Sequence, residues 1–186
     1  VILFGRNSAS YKFALGKSLL ELAAEGREAV SLEDLAIPFA KHIVAHISEA
    51  PRQGTRPGEF LKTCALYAKG ELTDEKLRQK AVDLGFNNVI DAFHVVGRGD
   101  VPVRFFEDER ETRLKGIVLT PAIHEIAATN GTGAAAEVES RWRLVETAWD
   151  LGLNTSLILY DEHSEVLQTA DRRTSVTSVR GGLNGY

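Results

Sequence analysis

Apolar residues recur three or four positions apart through the first half of this chain, and this spacing constrains the fold more than any other feature. The first such segment runs from Tyr11 to Ala23 and stops before Gly26, which is the pattern of an amphipathic helix ended by a glycine. The second opens with Ser31-Leu-Glu-Asp34, in which the hydroxyl can cap a helix, and Pro38 is expected to split or kink it. The spacing predicts helices near residues 11–25, 31–47, 59–68, 74–84 and 88–96, and a helical domain over residues 1–97.

The pattern changes after Gly97-Arg-Gly-Asp100. Apolar runs at residues 103–107 and 116–119 flank a charged segment, which predicts two strands joined by a turn. Further along, the sequence predicts a short helix at 120–126, a break at Asn130–Gly133, a helix at 135–151 and a hairpin of strands 156–160 and 166–169. The predicted fold class is therefore α+β, with a mainly helical bundle followed by a smaller part, residues 98–170, of short β-hairpins and helices.

Composition narrows the class of protein. The chain has 186 residues, of which 44% are hydrophobic, enough for a conventional core. Its apolar runs fall short of the roughly 20 residues that cross a bilayer, so no membrane partner is expected. The single cysteine, Cys64, cannot form an intramolecular disulfide, which fits a bacterial cytoplasm.

Charge is unevenly distributed along the chain. The formal net charge is −4, yet residues 1–69 hold nine Lys and Arg against seven Asp and Glu, and residues 70–186 hold thirteen against nineteen. Phosphate attraction grows with the number of basic contacts, so a nonspecific coating of nucleic acid is not expected. Local basic patches in the first third are compatible with this balance.

Two basic segments are candidate DNA contacts in the helical domain. The first surrounds the start of the first helix and contains Arg6, Asn7, Lys12 and Lys17. Backbone N–H groups at a helix start and nearby cations can together hold a phosphate. The alternative is that this polar segment only caps the helix while Tyr11 packs inward.

The other candidates lie in segments that cannot bury much. Arg52 and Arg56 flank a Gly- and Pro-rich loop, Ala50–Gly58, so their charged ends are solvated or bound to a partner such as a phosphate. The alternative for both is a surface role in solubility. Arg172 and Arg173 either lie against DNA or belong to a simple linker.

One histidine pair and one tryptophan pair could each have a binding role or an ordinary structural role. His42 and His46 lie four apart, on one face of a helix, but no third zinc ligand accompanies them, so ordinary helix histidines are favoured. Trp142 and Trp149 could stack bases, although their helical spacing favours the core. His94 is interpreted as a satisfied core residue.

Nucleophile and carboxylate candidates are also weighed against structural roles. No sequence motif near Cys64 supplies an activating partner, so a buried apolar role is favoured over a nucleophile. The acidic run Glu107–Glu111, with Lys115 after it, could bind a metal, but it is interpreted as a solvated turn between strands. The sequence assigns no catalytic residue and no metal ligand.

Two segments carry a family resemblance. Tyr11–Leu20 reads Tyr-Lys-Phe-Ala-Leu-Gly-Lys-Ser-Leu-Leu, and Thr177–Tyr186 ends in Leu-Asn-Gly-Tyr. Both are similar to bacterial HNH endonucleases of the restriction or defence type, in which a similar Leu-Asn-Gly-Tyr leads into the nuclease finger. The resemblance implies that residues 171–186 connect to an absent HNH domain holding the divalent metal, the catalytic histidine and a structural zinc. None of the five histidines in this chain lies in a segment that is similar to the HNH motif.

These observations support a DNA-recognition or targeting portion of a bacterial HNH endonuclease, itself without the catalytic finger. An alternative from another class is a regulatory module that binds a protein or an effector, either as a homo-oligomer or with a regulatory partner. The overall negative charge favours this alternative over strong DNA affinity. A third hypothesis is a self-contained enzyme that uses residues 107–115.

Overall fold

The computed structural model describes residues 9–56, 58–96, 99–152, 158–161 and 166–169, the last two ranges as strand backbone only. Its α-helices are α1 (Tyr11–Ala24), α2 (Leu32–Glu49), α3 (Glu59–Ala68), α4 (Asp74–Lys80), α5 (Val89–Phe93) and α6 (Pro121–Asp150). Its strands are β1 (Ala29–Ser31), β2 (Val95–Val96), β3 (Gly99–Asp100), β4 (Phe106–Glu109), β5 (Gly116–Leu119), β6 (Ile158–Asp161) and β7 (Val166–Thr169). The fold is α+β and dominated by helices, as the sequence predicts. Within these ranges no helix is long and apolar enough to span a bilayer.

Helix α1 lies at the centre of the helical layer. Ten of its fourteen residues are buried, and it packs against α2 on one side and α6 on the other. Phe13 and Leu19 are completely buried among these neighbours. The helix ends before Gly26, which has φ +75° and so takes a left-handed conformation that favours glycine. Both the helix and its glycine end are confirmed.

Side-chain caps fix the starts of α2 and α4. Ser31 Oγ accepts a hydrogen bond from the Asp34 N–H at 3.1 Å, and Thr73 Oγ1 accepts from the Lys76 N–H at 3.4 Å. Both caps satisfy a helix-end donor that has no partner within the helix. Helix α4 continues into a π-helical turn that ends at Gly85. These starts, and the end near Gly85, confirm the sequence interpretation.

The two predicted breaks have different outcomes: α2 stays continuous at Pro38, whereas α6 is kinked at Asn130. Helix α2 runs through the buried Pro38 to Glu49, because its apolar face is held against α1 and α3 on both sides of the proline. Helix α6 consists of two helical stretches that meet at a kink, which confirms the predicted break near Asn130. Only Asn130, with φ −148° and ψ 31°, leaves the helical range, and the chain bends there. The Asn130 side chain occupies the space that a Cβ at Gly133 would need, so a glycine suits the bend.

A three-stranded antiparallel sheet with the order β1-β5-β4 covers one end of the helices. Val30 of β1 pairs with Ile117 of β5, and Phe106 of β4 pairs with Leu119. Sequence predicts β4 and β5 but not β1, which is only three residues long. A separate antiparallel hairpin, β6–β7, pairs Ile158 with Thr169 and confirms the predicted hairpin.

The first strand after residue 100 begins later than predicted. The sequence predicts a strand that starts at residue 103, but Val103 is exposed and β4 begins at Phe106. The Phe105 N–H donates to the ring of His94, and its carbonyl accepts from the Thr120 N–H. The Phe105 N–H is thus taken by a side chain, while its carbonyl continues the pairing with the residue after β5. The predicted helix at 88–96 is similarly shortened to α5, and the residues after it form the small β2–β3 pair.

The hydrophobic core contains residues from both sides of the predicted domain boundary at 97/98. Strand β1 pairs with β5, and α1 packs along α6. Trp142 and Trp149 are fully buried in this core, and Cys64 is buried as well. Burial raises the pKa of the Cys64 thiol to about 12, so the thiolate of a nucleophile is disfavoured. The core roles of these three residues are confirmed.

His94 is a buried, neutral histidine. Its Nε2 accepts the Phe105 N–H at 2.9 Å, which requires an unprotonated nitrogen. Burial, with a contribution from the nearby Arg104, lowers its pKa to about 4. The interpretation as a satisfied core residue is therefore confirmed.

The depressed pKa of His94 makes the protein sensitive to mild acid. An unfolded histidine titrates near 6.5, so the unfolded state binds more protons below that pH. We expect the free energy of unfolding to fall by up to about 3 kcal/mol as the pH decreases from 6.5 through 4. Urea unfolding across this range measures it. The control is His94→Gln, whose amide oxygen can accept the same bond but cannot titrate; an equal decrease in that variant would contradict the assignment.

Candidate nucleic-acid interface

Four of the predicted DNA contacts, Arg6, Asn7, Arg172 and Arg173, lie outside the described residues. The remaining four are Lys12 and Lys17 on α1 and the two arginines of the loop after α2. Each of these pairs has a different environment.

The two lysines of α1 point their ammonium groups at protein partners. Lys12 is buried, and its Nζ donates to the Val95 carbonyl at 3.3 Å. Burial lowers the pKa of this ammonium group. Lys17 Nζ lies 2.7 Å from a carboxylate oxygen of Glu139 on α6. Their contact with DNA stays a prediction, and the geometry favours a structural role for both.

The loop after α2 presents its arginines to solvent. Arg52 and Arg56 are exposed, whereas Gln53 and Gly54 between them are buried. Within the described residues no ion pair engages either guanidinium group. We call residues 50–56 the arginine loop. Its middle is anchored in the protein, and its two cations project from the anchored segment.

Gln53 is that anchor, with only 2% of its surface exposed. Its side-chain Nε2 donates to the Ala50 carbonyl at 2.8 Å and to Glu146 Oε1 at 2.5 Å. Its Oε1 accepts from Trp142 Nε1 at 2.9 Å and from the hydroxyl of Ser10. The amide side chain is thus fully satisfied, which fixes the loop relative to α6.

The backbone of the arginine loop is tied to the start of α1. The Ser10 N–H donates to the Gln53 carbonyl at 3.1 Å, and Ala9 forms an isolated antiparallel bridge with Gly54. Ser10 stands at the N-cap of α1, but its hydroxyl bonds to Gln53 and does not cap the helix. The polar start of α1 therefore positions the loop by hydrogen bonds that sequence alone does not reveal.

His46 occupies the centre of the network below Gln53. Its Nδ1 lies 2.7 Å from Glu146 Oε1, and its Nε2 lies 3.1 Å from Glu139 Oε2. Its ring stacks on Trp142, with ring centroids 3.5 Å apart and planes 3° from parallel. We call His46, Gln53, Glu139, Trp142 and Glu146 the buried polar network.

Glu139 connects this network to the surface. Burial alone would raise its pKa, but the hydrogen bond from Lys17 and the nearby His46 outweigh burial and lower the pKa to about 2. Arg143 Nε also lies 2.7 Å from the other Glu139 oxygen, and another nitrogen of the same guanidinium group contacts Glu49 at 2.8 Å. Glu139 is therefore held ionised by Lys17 and Arg143, with His46 at its side.

The zinc alternative for the paired histidines is not supported by their partners. His42 Nε2 lies 3.0 Å from Glu21 on α1, whereas His46 turns to the glutamates of α6. Burial, together with Lys17, lowers the pKa of His42 despite the Glu21 contact. In the part of the chain that the structure describes, no three His, Cys, Asp or Glu residues are grouped to hold a metal ion.

The prediction that the acidic run Glu107–Glu111 is a turn is only partly correct, because its first three residues belong to β4 and pair with β5, and the turn begins at Arg110. Arg110 contacts Asp108 at 2.6 Å and also pairs with Asp91 of α5. The hydrogen bond from Arg110 lowers the pKa of Asp108 despite the opposing effect of burial. Lys115 closes the turn with φ +48°.

Two of the grooves on the described surface bear on the candidate functions. The first lies beside the arginine loop and combines carboxylates with guanidinium groups, and it is lined by Glu49, Pro51, Arg52, Arg143, Glu146, Thr147 and Asp150. The second lies between α2 and α4, is mainly apolar, and has the exposed Ile37 at its edge. The mixed charge of the first groove disfavours a polyanion inside it, so any phosphate contact would be confined to the loop itself.

The arrangement can hold two exposed guanidinium groups on a fixed loop, and it provides hydrogen-bond donors suited to phosphate oxygens. Sequence reasoning finds Arg52 and Arg56 but misses Gln53 and the two network glutamates, whose only signal is polar character at helix positions next to Trp142. Comparisons with protein-family models, curated proteins and solved structures find no match to this chain.

Proposed function

We propose that this chain is the DNA-recognition portion of a bacterial HNH-type endonuclease and that the arginine loop contacts the phosphate backbone of duplex DNA. One observation carries the proposal. Arg52 and Arg56 are exposed on either side of a buried, fully hydrogen-bonded Gln53. A loop that is already ordered loses less conformational entropy when its side chains bind.

The link to HNH endonucleases is supported by the similarity of Tyr11–Leu20 and Thr177–Tyr186 to those enzymes. The divalent metal that this family uses requires its own ligands, and the described residues do not provide a matching group. We assign binding and orientation of DNA to this region and assign no step of phosphodiester hydrolysis to its residues.

The expected affinity is modest. Two phosphate contacts release few counterions, and the net charge of −4 adds a weak long-range repulsion. Nonspecific binding by such a surface falls in the range of about 10⁻⁴–10⁻⁶ M. Binding is therefore best measured at low salt, about 50 mM or below.

Charge removal in the arginine loop tests the proposal. We expect Arg52→Ala and Arg56→Ala each to weaken binding of a labelled duplex by about 3- to 10-fold, because each removes a phosphate contact. Fluorescence anisotropy measures the change. The matched control is Arg113→Ala, which removes the same charge from the exposed turn between β4 and β5. Equal weakening of DNA binding by all three variants, or no binding by the wild type, would contradict the proposal.

The α2–α4 groove favours a second candidate, a module that binds a regulatory protein or another copy of itself. Ile37 is 56% exposed beside apolar side chains of α2 and α4, and exposed apolar patches often mark interaction sites. Sedimentation of the purified protein shows whether it self-associates. Ile37→Asp should then dissociate the oligomer, while DNA binding by the arginine loop should be unchanged.

A further inference from the structure

Both ring nitrogens of His46 face carboxylate oxygens. Glu146 lies 2.7 Å from Nδ1 and Glu139 lies 3.1 Å from Nε2. A neutral imidazole has one N–H, so one of these contacts would place two lone pairs together. With both carboxylates ionised, both contacts are hydrogen bonds only when the ring carries two N–H groups. The geometry thus matches a positively charged imidazolium between two carboxylates.

The two glutamates depend on this charge to different degrees. His46 contacts Glu139 and Glu146, both on α6. Glu139 is also paired with Lys17 of α1 and with Arg143 of α6. Arg143 in turn contacts Glu49 of α2. Glu139 therefore keeps two other cations if His46 becomes neutral. Among the described residues Glu146 forms an ion pair with His46 alone, and only 5% of its surface is exposed.

The same oxygen of Glu146 connects His46 to the arginine loop. Glu146 Oε1 accepts from His46 Nδ1 and from Gln53 Nε2. A change in the charge or position of this carboxylate must therefore act on Gln53, the buried residue of the loop. Trp142 supports both partners, since it stacks on His46 and donates to Gln53.

We infer that His46 and Gln53 are positioning residues for the arginine loop, with the His46 imidazolium holding Glu146 where it fixes Gln53. This inference deepens the proposed function and rests on it in one respect, that the positioned loop contacts DNA. The ordered loop itself is a separate property that can be measured without DNA. Neutralising His46 weakens the Glu146–Gln53 bond and releases the loop from α1.

Nuclear magnetic resonance on the folded protein tests the positioning directly. At about pH 6, the His46 ring should show two protonated nitrogens, and one bare nitrogen would overturn the inference. The Ser10 amide, which donates to the Gln53 carbonyl, reports loop order through hydrogen exchange. In His46→Gln we expect its protection factor to fall at least about 10-fold, with Ile43 in the middle of α2 unchanged. Retained Ser10 protection would also overturn the inference.

A DNA-binding cycle separates positioning from general stability. His46→Gln should weaken duplex binding about as much as Arg52→Ala, and combining the two should give less than the product of the single effects. Fully multiplicative effects would show that His46 does not act through the loop. If the wild type binds no DNA, the proposed function fails, while Ser10 protection still decides whether His46 fixes the loop.

Discussion

Replacing Glu146 by alanine is expected to lower the free energy of unfolding by about 3–5 kcal/mol. The substitution removes the carboxylate that pairs with His46 at 2.7 Å and accepts from Gln53. Both partners are buried, so each loses a hydrogen bond in the protein interior. Urea unfolding followed by circular dichroism measures the change.

The control for this prediction lies on the same helix. Glu137→Ala removes an equal charge from an exposed position of α6 and should change stability by less than about 0.5 kcal/mol. Glu146→Gln should be less damaging than Glu146→Ala, because an amide oxygen can still accept from Gln53. Similar losses for Glu146→Ala and Glu137→Ala would mean that the buried polar network does not stabilise the fold.

The second large effect is expected from Gly116→Ala in β5. A Cβ at this position would overlap the Val30 carbonyl oxygen and would lie 2.8 Å from the Ser31 Cα. Both obstacles are backbone atoms of β1, so a side-chain rotation cannot relieve them. We expect a loss of about 3 kcal/mol as β1 is pushed away from β5. Thermal unfolding measures the loss.

Gly99→Ala is the matched control for this steric prediction. Among the described residues, a Cβ at Gly99 meets no atom within 4 Å, and Gly99 is not one of the glycines with positive φ. The control should therefore be close to neutral or slightly stabilising, because alanine restricts the unfolded chain. A Gly116→Ala variant as stable as the control would contradict the close packing of β1 on β5.

Local patterns predict much of this fold. The caps at Ser31 and Thr73 and the glycine after α1 identify helix ends, because they satisfy or terminate the helix through neighbouring residues. Strand β1 is different. Its three residues form a strand only because β5, about 85 residues later, provides the partner, and no local pattern encodes that pairing.

The candidate site likewise has one part that local sequence predicts and another that depends on distant residues. The exposure of Arg52 and Arg56 follows from a Gly- and Pro-rich loop that cannot bury them, and this could be predicted. The burial of Gln53 could not, because its partners Trp142 and Glu146 lie about 90 residues away in the sequence. The engagement of Lys17 by Glu139 escaped prediction for the same reason, since a cation's partner is decided by packing between helices.

The salt dependence of DNA binding tests the central claim most directly. For wild-type protein and the Arg52→Ala/Arg56→Ala variant, the dissociation constant for a duplex is measured at several salt concentrations. Each lost phosphate contact reduces the slope of log K against log salt by about 1, so the account predicts a decrease of about 2 in the double variant. Arg113→Ala should retain the wild-type slope. An unchanged slope in the double variant would contradict DNA recognition by the arginine loop.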